Sequence, residues 1–300
     1  MTLELALQKI DTHFATAPTQ LIAHLDAVAV LLAMAATSDV WREVLRRYLA
    51  RPDALTRPHY PVLSLPIRQT AHYTLVANVW FPHPEGRTDV TTKAIHHHGP
   101  MLLSTVTAFG PGYEHWVFGR PIMADPHEVR WALPLWIRGR HAPGHVAFVD
   151  AGCPHVPWFP SSLSITYALW STSRPTGWRD RVKRWPLFRG REAGLRRTLL
   201  RLGLRGPLDL KEARDYDFVP HPHGGFQSVR ERREFPLGPV EYYQRGLVRL
   251  AVDTGHADLL PSVLVQRHGL EVPLSYCWSH AQYTMPEGNF TRTVIERAMR

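Results

Sequence analysis

The feature that most constrains this chain runs from Tyr60 to about Ser173, where short runs rich in Val, Thr, Tyr, Phe and Trp are cut at close intervals by Gly and Pro. Tyr73 to Phe81 and Leu102 to Phe109 are such runs; Phe109-Gly110-Pro111-Gly112 and Ala142-Pro143-Gly144 are the cuts. Side chains that branch at Cβ or carry rings suit a pleated, half-buried surface, and runs this short favour strands over helices. Evenly spaced short strands with turn signals predict an all-β sandwich or barrel. Seven of the ten tryptophans, at 80, 116, 131, 136, 158, 170 and 178, lie in this stretch or at its edge, where a barrel interior would use them.

Both flanks read differently. From Leu3 to Leu49 apolar residues recur at steps of three and four, most clearly at Val40, Trp41, Val44, Leu45, Tyr48 and Leu49, with Ser38 placed as an N-cap. Arg51-Pro52-Asp53 and Arg57-Pro58 break that pattern, because proline disfavours helix at the residue before it. A second helical stretch is expected over about 190–268, through Tyr242, Leu247, Leu250, Ala251 and Leu259 to Val265, with breaks at Gly255 and Pro261. The expected organisation is a helical region over 1–57, a β-barrel over 58–173, and a basic, helical region over 174–300. About 50 N-terminal residues bury too little apolar surface to stand alone, so the helices are expected to pack on the barrel.

With 44% apolar and 20% charged residues the chain is globular in composition. Its net charge of +9 is local: eleven basic residues between Arg174 and Arg205 face only Asp180 and Glu192, which is again +9. Such a stripe steers phosphates or acidic partners, but it lacks helix-turn-helix spacing, and a solvated face is the favoured reading over a nucleic-acid partner. The longest early apolar run, Ala27 to Ala36, is about half of what crosses a bilayer. Met-Thr-Leu-Glu-Leu at the start has no basic region ahead of an apolar stretch, and Cys153 and Cys277 are too few for a disulfide framework. The expected location is cytoplasmic, with no membrane partner; oligomeric state stays open.

Chemistry concentrates in His96-His97-His98, at the end of a strand expected over Thr91 to Ile95. Strand side chains alternate faces, so His96 and His98 share one side and can chelate a metal, while His97 turns away. Further on, a Pro143-Gly144 turn, an apolar strand and Gly152 deliver His155. His221-Pro222-His223-Gly224-Gly225 has no strand to fix its spacing and reads as a loop.

These residues resemble the two motifs of the cupin superfamily. The first is HxH, then a glutamate a few residues on, then a glycine: His96, His98 and Gly110 match, and the glutamate position falls on Leu103. The second is matched by Pro143, Gly144, Gly152 and His155, with His155 lying 57 residues beyond His98. The resemblance runs from Tyr60 to Thr172 and implies a double-stranded β-helix. Among cupins the three-histidine pattern is similar to the thiol dioxygenases, represented by cysteine dioxygenase, through Ile95-His96-His97-His98 and Ser164 to Ser171. That likeness implies an Fe(II) centre on His96, His98 and His155, with dioxygen and a small molecule as substrates.

Departures from the family narrow the substrate. Leu103 stands near the position of the mammalian-type cross-linked cysteine, and Ala168 and Trp170 stand where strand parity puts the family's inward His and Tyr. A substrate larger and more aromatic than cysteine is therefore expected, its carboxylate held by Arg68, Arg138 or Arg140, with Tyr167 also a candidate contact. Tyr113, His115 and Trp170 are the candidate catalytic residues beside the metal. Two alternatives remain: a Zn, Mn or Ni cupin acting as isomerase, lyase or hydrolase, since imidazole suits all these ions, and a ligand-sensing or nucleic-acid-binding cupin.

Overall fold

The computed structural model describes residues 1–56, 62–172, 216–230, 240–277 and 289–300. The helical lead-in is three helices: α1 (Leu3–Thr16), α2 (Gln20–Ala35) and α3 (Ser38–Leu49). Thr2 and Thr19 cap the first two, each side-chain oxygen accepting from a backbone N–H three residues on. Ser38 is the first residue of α3, not its cap; Thr37 takes the cap position, and its hydroxyl turns back to donate to the Ala33 carbonyl at the end of α2. The apolar residues of α1, at 3, 7, 10 and 14, form one buried stripe.

The strands are β1 (Val62–Gln69), β2 (Tyr73–Trp80), β3 (Ile95–His96), β4 (Met101–Phe109), β5 (Glu114–Phe118), β6 (Ile122–Asp125) and β7 (Arg130–Ala132). They continue as β8 (Leu135–Arg140), β9 (Val146–Val149), β10 (His155–Pro157), β11 (Ser164–Thr172), β12 (Tyr216–Pro220) and β13 (Phe226–Arg230). One sheet has the order β1-β2-β11-β4-β9, the other β6-β7-β13-β12-β3-β10-β5-β8, and every pairing is antiparallel. From β2 to β5 and again from β8 to β11, successive strands alternate between the sheets. The chain is thus a long hairpin rolled up, with β2 on β11, β3 on β10, β4 on β9 and β5 on β8. That nesting defines a double-stranded β-helix, the jelly-roll arrangement of cupins.

Gly110 shows why the turns are glycine. Its φ is +78°, and a Cβ there would lie 2.0 Å from the Leu163 carbonyl oxygen, so only the residue without one closes the turn after β4.

The sheet does not end near 173. Within the expected helical stretch, β12 and β13 form a hairpin inserted between β3 and β7, with Phe218 and Phe226 fully buried. The His221 to Gly225 loop is its turn, closed by bonds from the His221 N–H to the Gly225 carbonyl and from the Gly224 N–H to the His221 carbonyl. Alternating apolar residues over five positions are too short to outweigh the Pro and Gly around them in sequence, which is why they read as loop. Farther on are α4 (Val240–Asp253), α5 (Ser262–His268) and α6 (Arg292–Ala298). The Arg174 to Arg205 stripe lies outside the described residues.

Three apolar layers result. The first joins α1, α2, α3 and α4 to the outer face of the five-stranded sheet through Ile165, Tyr167 and Leu169. The second covers the outer face of the other sheet, where Trp116, Trp158, Phe218 and Phe226 meet Ile295 of α6. Arg292 fastens α6 there through two 2.6 Å bonds to Glu114, with its guanidinium over the Trp158 ring. The third lies between the sheets: Leu103, Val117, Val149, Cys153 and Ala168, with Val76 and Trp170 against them. No helix among the described residues is long and apolar enough by itself to cross a membrane.

On the helix side, His24 of α2 is fully buried and bonds two strands at once, Ser171 of β11 at 2.6 Å and Ser104 of β4 at 2.9 Å. Burial lowers its pKa from 6.5 to about 4. The unfolded chain therefore binds a proton on this ring between those values and the folded chain does not, so stability is complete above pH 6.5 and declines as pH falls toward 4. The full swing is about 3 kcal/mol. Urea unfolding across pH 4 to 8 is expected to show this decline, with a shallower slope in His24→Gln; an unchanged slope in that variant would count against it.

Candidate metal centre

His96, His98 and His155 come from two places in the chain that the rolled hairpin sets side by side. His155 of β10 is the direct cross-strand partner of His96 of β3. The turns are joined as well, for the Gly152 N–H donates to the Gly99 carbonyl at 2.8 Å, so the loop delivering His155 is bonded to the turn that follows His98. The regular strand here is only Ile95–His96, not Thr91 to Ile95, because Thr91 makes an isolated bridge to Trp158 and the Thr92 N–H is drawn to the Pro157 carbonyl. His97 is buried toward Phe218, its Nδ1 accepting from the Gly99 N–H.

The ligand-capable nitrogens of the three histidines all lie within 4.8 Å of one another, and among the described residues no carboxylate is part of the group. His98 Nε2 and His155 Nε2 face each other at 2.7 Å. Nitrogens bound to one ion at about 2.1 Å would sit about 3.0–3.4 Å apart, so an ion needs the closest pair to part slightly and the widest to draw in, which side-chain rotation supplies. Burial holds all three imidazoles well below the ordinary value of 6.5, with the positive charge of Lys93 pushing the same way. At neutral pH each therefore keeps a lone pair. His96 Nδ1 lies 3.0 Å from the Ala94 carbonyl, which can only accept, so the hydrogen is on Nδ1 and Nε2 is open. The donor set fits a divalent metal ion that prefers imidazole.

Around this group the inner wall is apolar and aromatic on one side, with Leu103, Val117, Val149, Ala168 and Trp170, and carries the buried polar side chains Thr105, Thr107, His115 and His141 on the other. Trp170 meets the His98 ring edge-on at 4.1 Å, and its cross-strand partner is Leu103. His115 Nε2 lies 2.7 Å from His155 Nδ1. Tyr113 stacks on His141 at 5.2 Å and meets Trp80 at a tilt at 4.6 Å, one step farther from the centre, its centroid 6.0 Å from that of His115. His141 is buried between Thr105 and Thr107. Burial lowers His115 to about 3 and His141 to about 4, and raises the Cys153 thiol to about 11.

The expected substrate contacts are not brought together. Arg68 is on β1 and pairs with Asp11 of α1. Arg138 faces Glu114 and Glu296 and lies over the Trp116 ring, on the outer face of its sheet. Arg140, opposite Glu114 in register, shares that face. Tyr167 points into the helix-side core, because parity on β11 sends residues 165, 167 and 169 outward from the barrel and 168 and 170 inward. Two groups near the centre escape sequence reasoning: His141, whose place at the end of β8 parity alone does not reveal, and Lys93, a single lysine with no pattern around it.

No family model matches the sequence, and no curated protein is similar to it. Solved structures with local likeness include a protein with a double-stranded β-helix domain from Klebsiella pneumoniae, 13% identical over 41% of this chain and 87% of that one, with a TM-score of 0.26. An RmlC-like cupin from Shewanella frigidimarina is 11% identical over 39% and 80%, at 0.24. The DMSP lyase DddQ from Ruegeria pomeroyi is 12% identical over 39% and 50%, at 0.26. Scores of this size carry no weight for function, and the cupin-like fold stands on the strand order.

If the three histidines hold one ion, the chain takes up one zinc or cobalt ion. Replacing His96, His98 or His155 by Ala is expected to weaken binding by more than the 10- to 100-fold typical of groups that only touch a ligand, while exposed His145→Ala leaves it unchanged. Competition with a chromophoric chelator measures this; equal affinity in all four variants would refute the site.

Proposed function

We propose that this protein is a mononuclear non-haem iron(II) oxygenase that uses dioxygen to oxidise a small apolar or aromatic molecule larger than cysteine. The observation that carries the reading is a donor set of three neutral imidazoles, two buried and one half-buried, with Leu103 lining the inner wall where cupins place a glutamate. Without a carboxylate the ion keeps its full charge toward substrate, and as iron(II) it would supply one-electron chemistry with dioxygen.

The chain's own residues do the rest. Leu103, Val117, Val149 and Ala168 exclude water from the inner wall. Trp170 walls the His98 side with an indole ring, which suits a flat apolar substrate. A small zwitterion such as cysteine fits poorly, because Arg68 and Arg138 have partners on other faces, Arg140 lies on the outer face with Arg138, and a desolvated carboxylate without a donor is costly. Lys93 is the lysine whose charge acts on all three histidines and helps to keep them neutral.

Protein purified without air and loaded with iron(II) is expected to consume dioxygen with a member of a panel of small aromatic and apolar molecules, and to form cysteine sulfinate at well under a hundredth of the rate of a dedicated thiol dioxygenase. Rapid sulfinate formation would overturn the substrate class. Turnover of a panel member by the zinc form without oxygen uptake would replace the oxygenase reading with a lyase, isomerase or hydrolase.

A further inference from the structure

We propose that His115 is a positioning residue that sets which nitrogen of His155 faces the metal, an inference resting on the metal-centre reading above. His155 has one partner on each ring nitrogen: Nε2 faces His98 Nε2, and Nδ1 faces His115 Nε2, both at 2.7 Å. A neutral imidazole carries a single hydrogen. If His155 binds an ion through Nε2, its hydrogen is on Nδ1 and is donated to His115 Nε2. His115 must then accept at Nε2 and carry its own hydrogen on Nδ1.

His115 Nδ1 is buried and has no hydrogen-bond partner, so no bond at that nitrogen fixes either tautomer; this arrangement leaves its N–H unpaired, a cost that the ion's bond to His155 has to offset. The β-sheet fixes the pair's spacing instead: on the two strands flanking one ladder, His115 lies opposite Pro157 and His155 opposite Val117, so the two rings are diagonal neighbours. Both side chains are buried, and their ring centroids are 4.9 Å apart.

Comparison with His96 shows what is particular here. Its outer nitrogen meets a backbone carbonyl, which accepts only, so Nε2 is open whether or not an ion is bound. His155 meets another imidazole, which can accept or donate. Without an ion the row can run the other way, from His115 Nε2–H to His155 Nδ1 and from His155 Nε2–H to His98 Nε2. Each ring is neutral in both directions, and only the nitrogen carrying the hydrogen changes. The ion selects one direction, and His115 makes that direction available at a buried nitrogen.

The test uses the full chain, zinc and cobalt(II), and three substitutions. His115→Leu removes the acceptor and is expected to weaken zinc binding about 10- to 100-fold, the usual effect of losing a group that orients a ligand. His115→Gln returns an oxygen near the Nε2 position and is expected to restore most of that affinity; His115→Asn is too short and is not. Long-range 15N–1H correlations on zinc-loaded wild type are expected to show His155 protonated on Nδ1, and the cobalt(II) visible spectrum is expected to change in His115→Leu but not in His115→Gln. Should the Leu variant fail to fold, the Gln and Asn variants make the same comparison. Wild-type protein that binds neither metal overturns the centre and this inference together. Wild type that binds, with all three variants binding as tightly or all three losing affinity equally, overturns the role of His115 alone.

Discussion

The pairing of β10 with β3 is the contact on which the rest depends. It sets His155 directly opposite His96, joining two parts of the chain that are far apart in sequence. Two hydrogen bonds to backbone extend the join, from Gly152 to Gly99 and from Thr92 to Pro157. A slip of one residue on either strand would exchange the faces, sending His155 outward and Val156 inward. Register is held because the outward face is itself buried: Val156 and Ile95 belong to the core beneath α6. The apolar layer on the outside of the sheet therefore protects the polar group on its inside.

Burying that group is costly. His24, His96, His97, His115, His141 and His155 are all buried, and desolvation depresses each of them. Most are offset by partners that fit a neutral ring, such as a serine, a threonine, a backbone carbonyl or another imidazole. Neutral imidazoles inside a protein keep their lone pairs at a pH where exposed ones begin to lose them, which is the state a metal ligand requires.

Sequence made the centre legible because its signals are local. HxH on a strand fixes two side chains on one face, and Pro143-Gly144 and Gly152 mark the turns that frame a short strand, so His96, His98 and His155 could be chosen without coordinates. What resisted reading depends on contacts across the sheets. Arg138 and Arg140 look like carboxylate ligands until the register with Glu114 and Trp116 assigns them to the outer face. Tyr167 and Trp170 are three residues apart, and parity alone separates them, one into the helix-side core and the other against His98. The β12–β13 hairpin escaped for a different reason: its pairing partners, β3 and β7, are remote in sequence, and five-residue strands carry little pattern of their own.

A sheet is one residue thick, and here its two faces serve different ends at the same place. Leu103 and Trp170 are cross-strand partners on the inner wall of the candidate site. Their chain neighbours Ser104 and Ser171 point the opposite way, and both are bonded by His24 from α2. The helix therefore grips β4 and β11 directly behind the residues that wall the metal centre. This accounts for the helices being fused to the barrel by one continuous core instead of forming a separate body. The ladder between β4 and β11 sets their spacing and puts Trp170 beside Leu103. With α2 docked, Ser104 and Ser171 on the back of that ladder are satisfied by one buried imidazole instead of by water, so the segment that presents Trp170 to His98 is held from both faces.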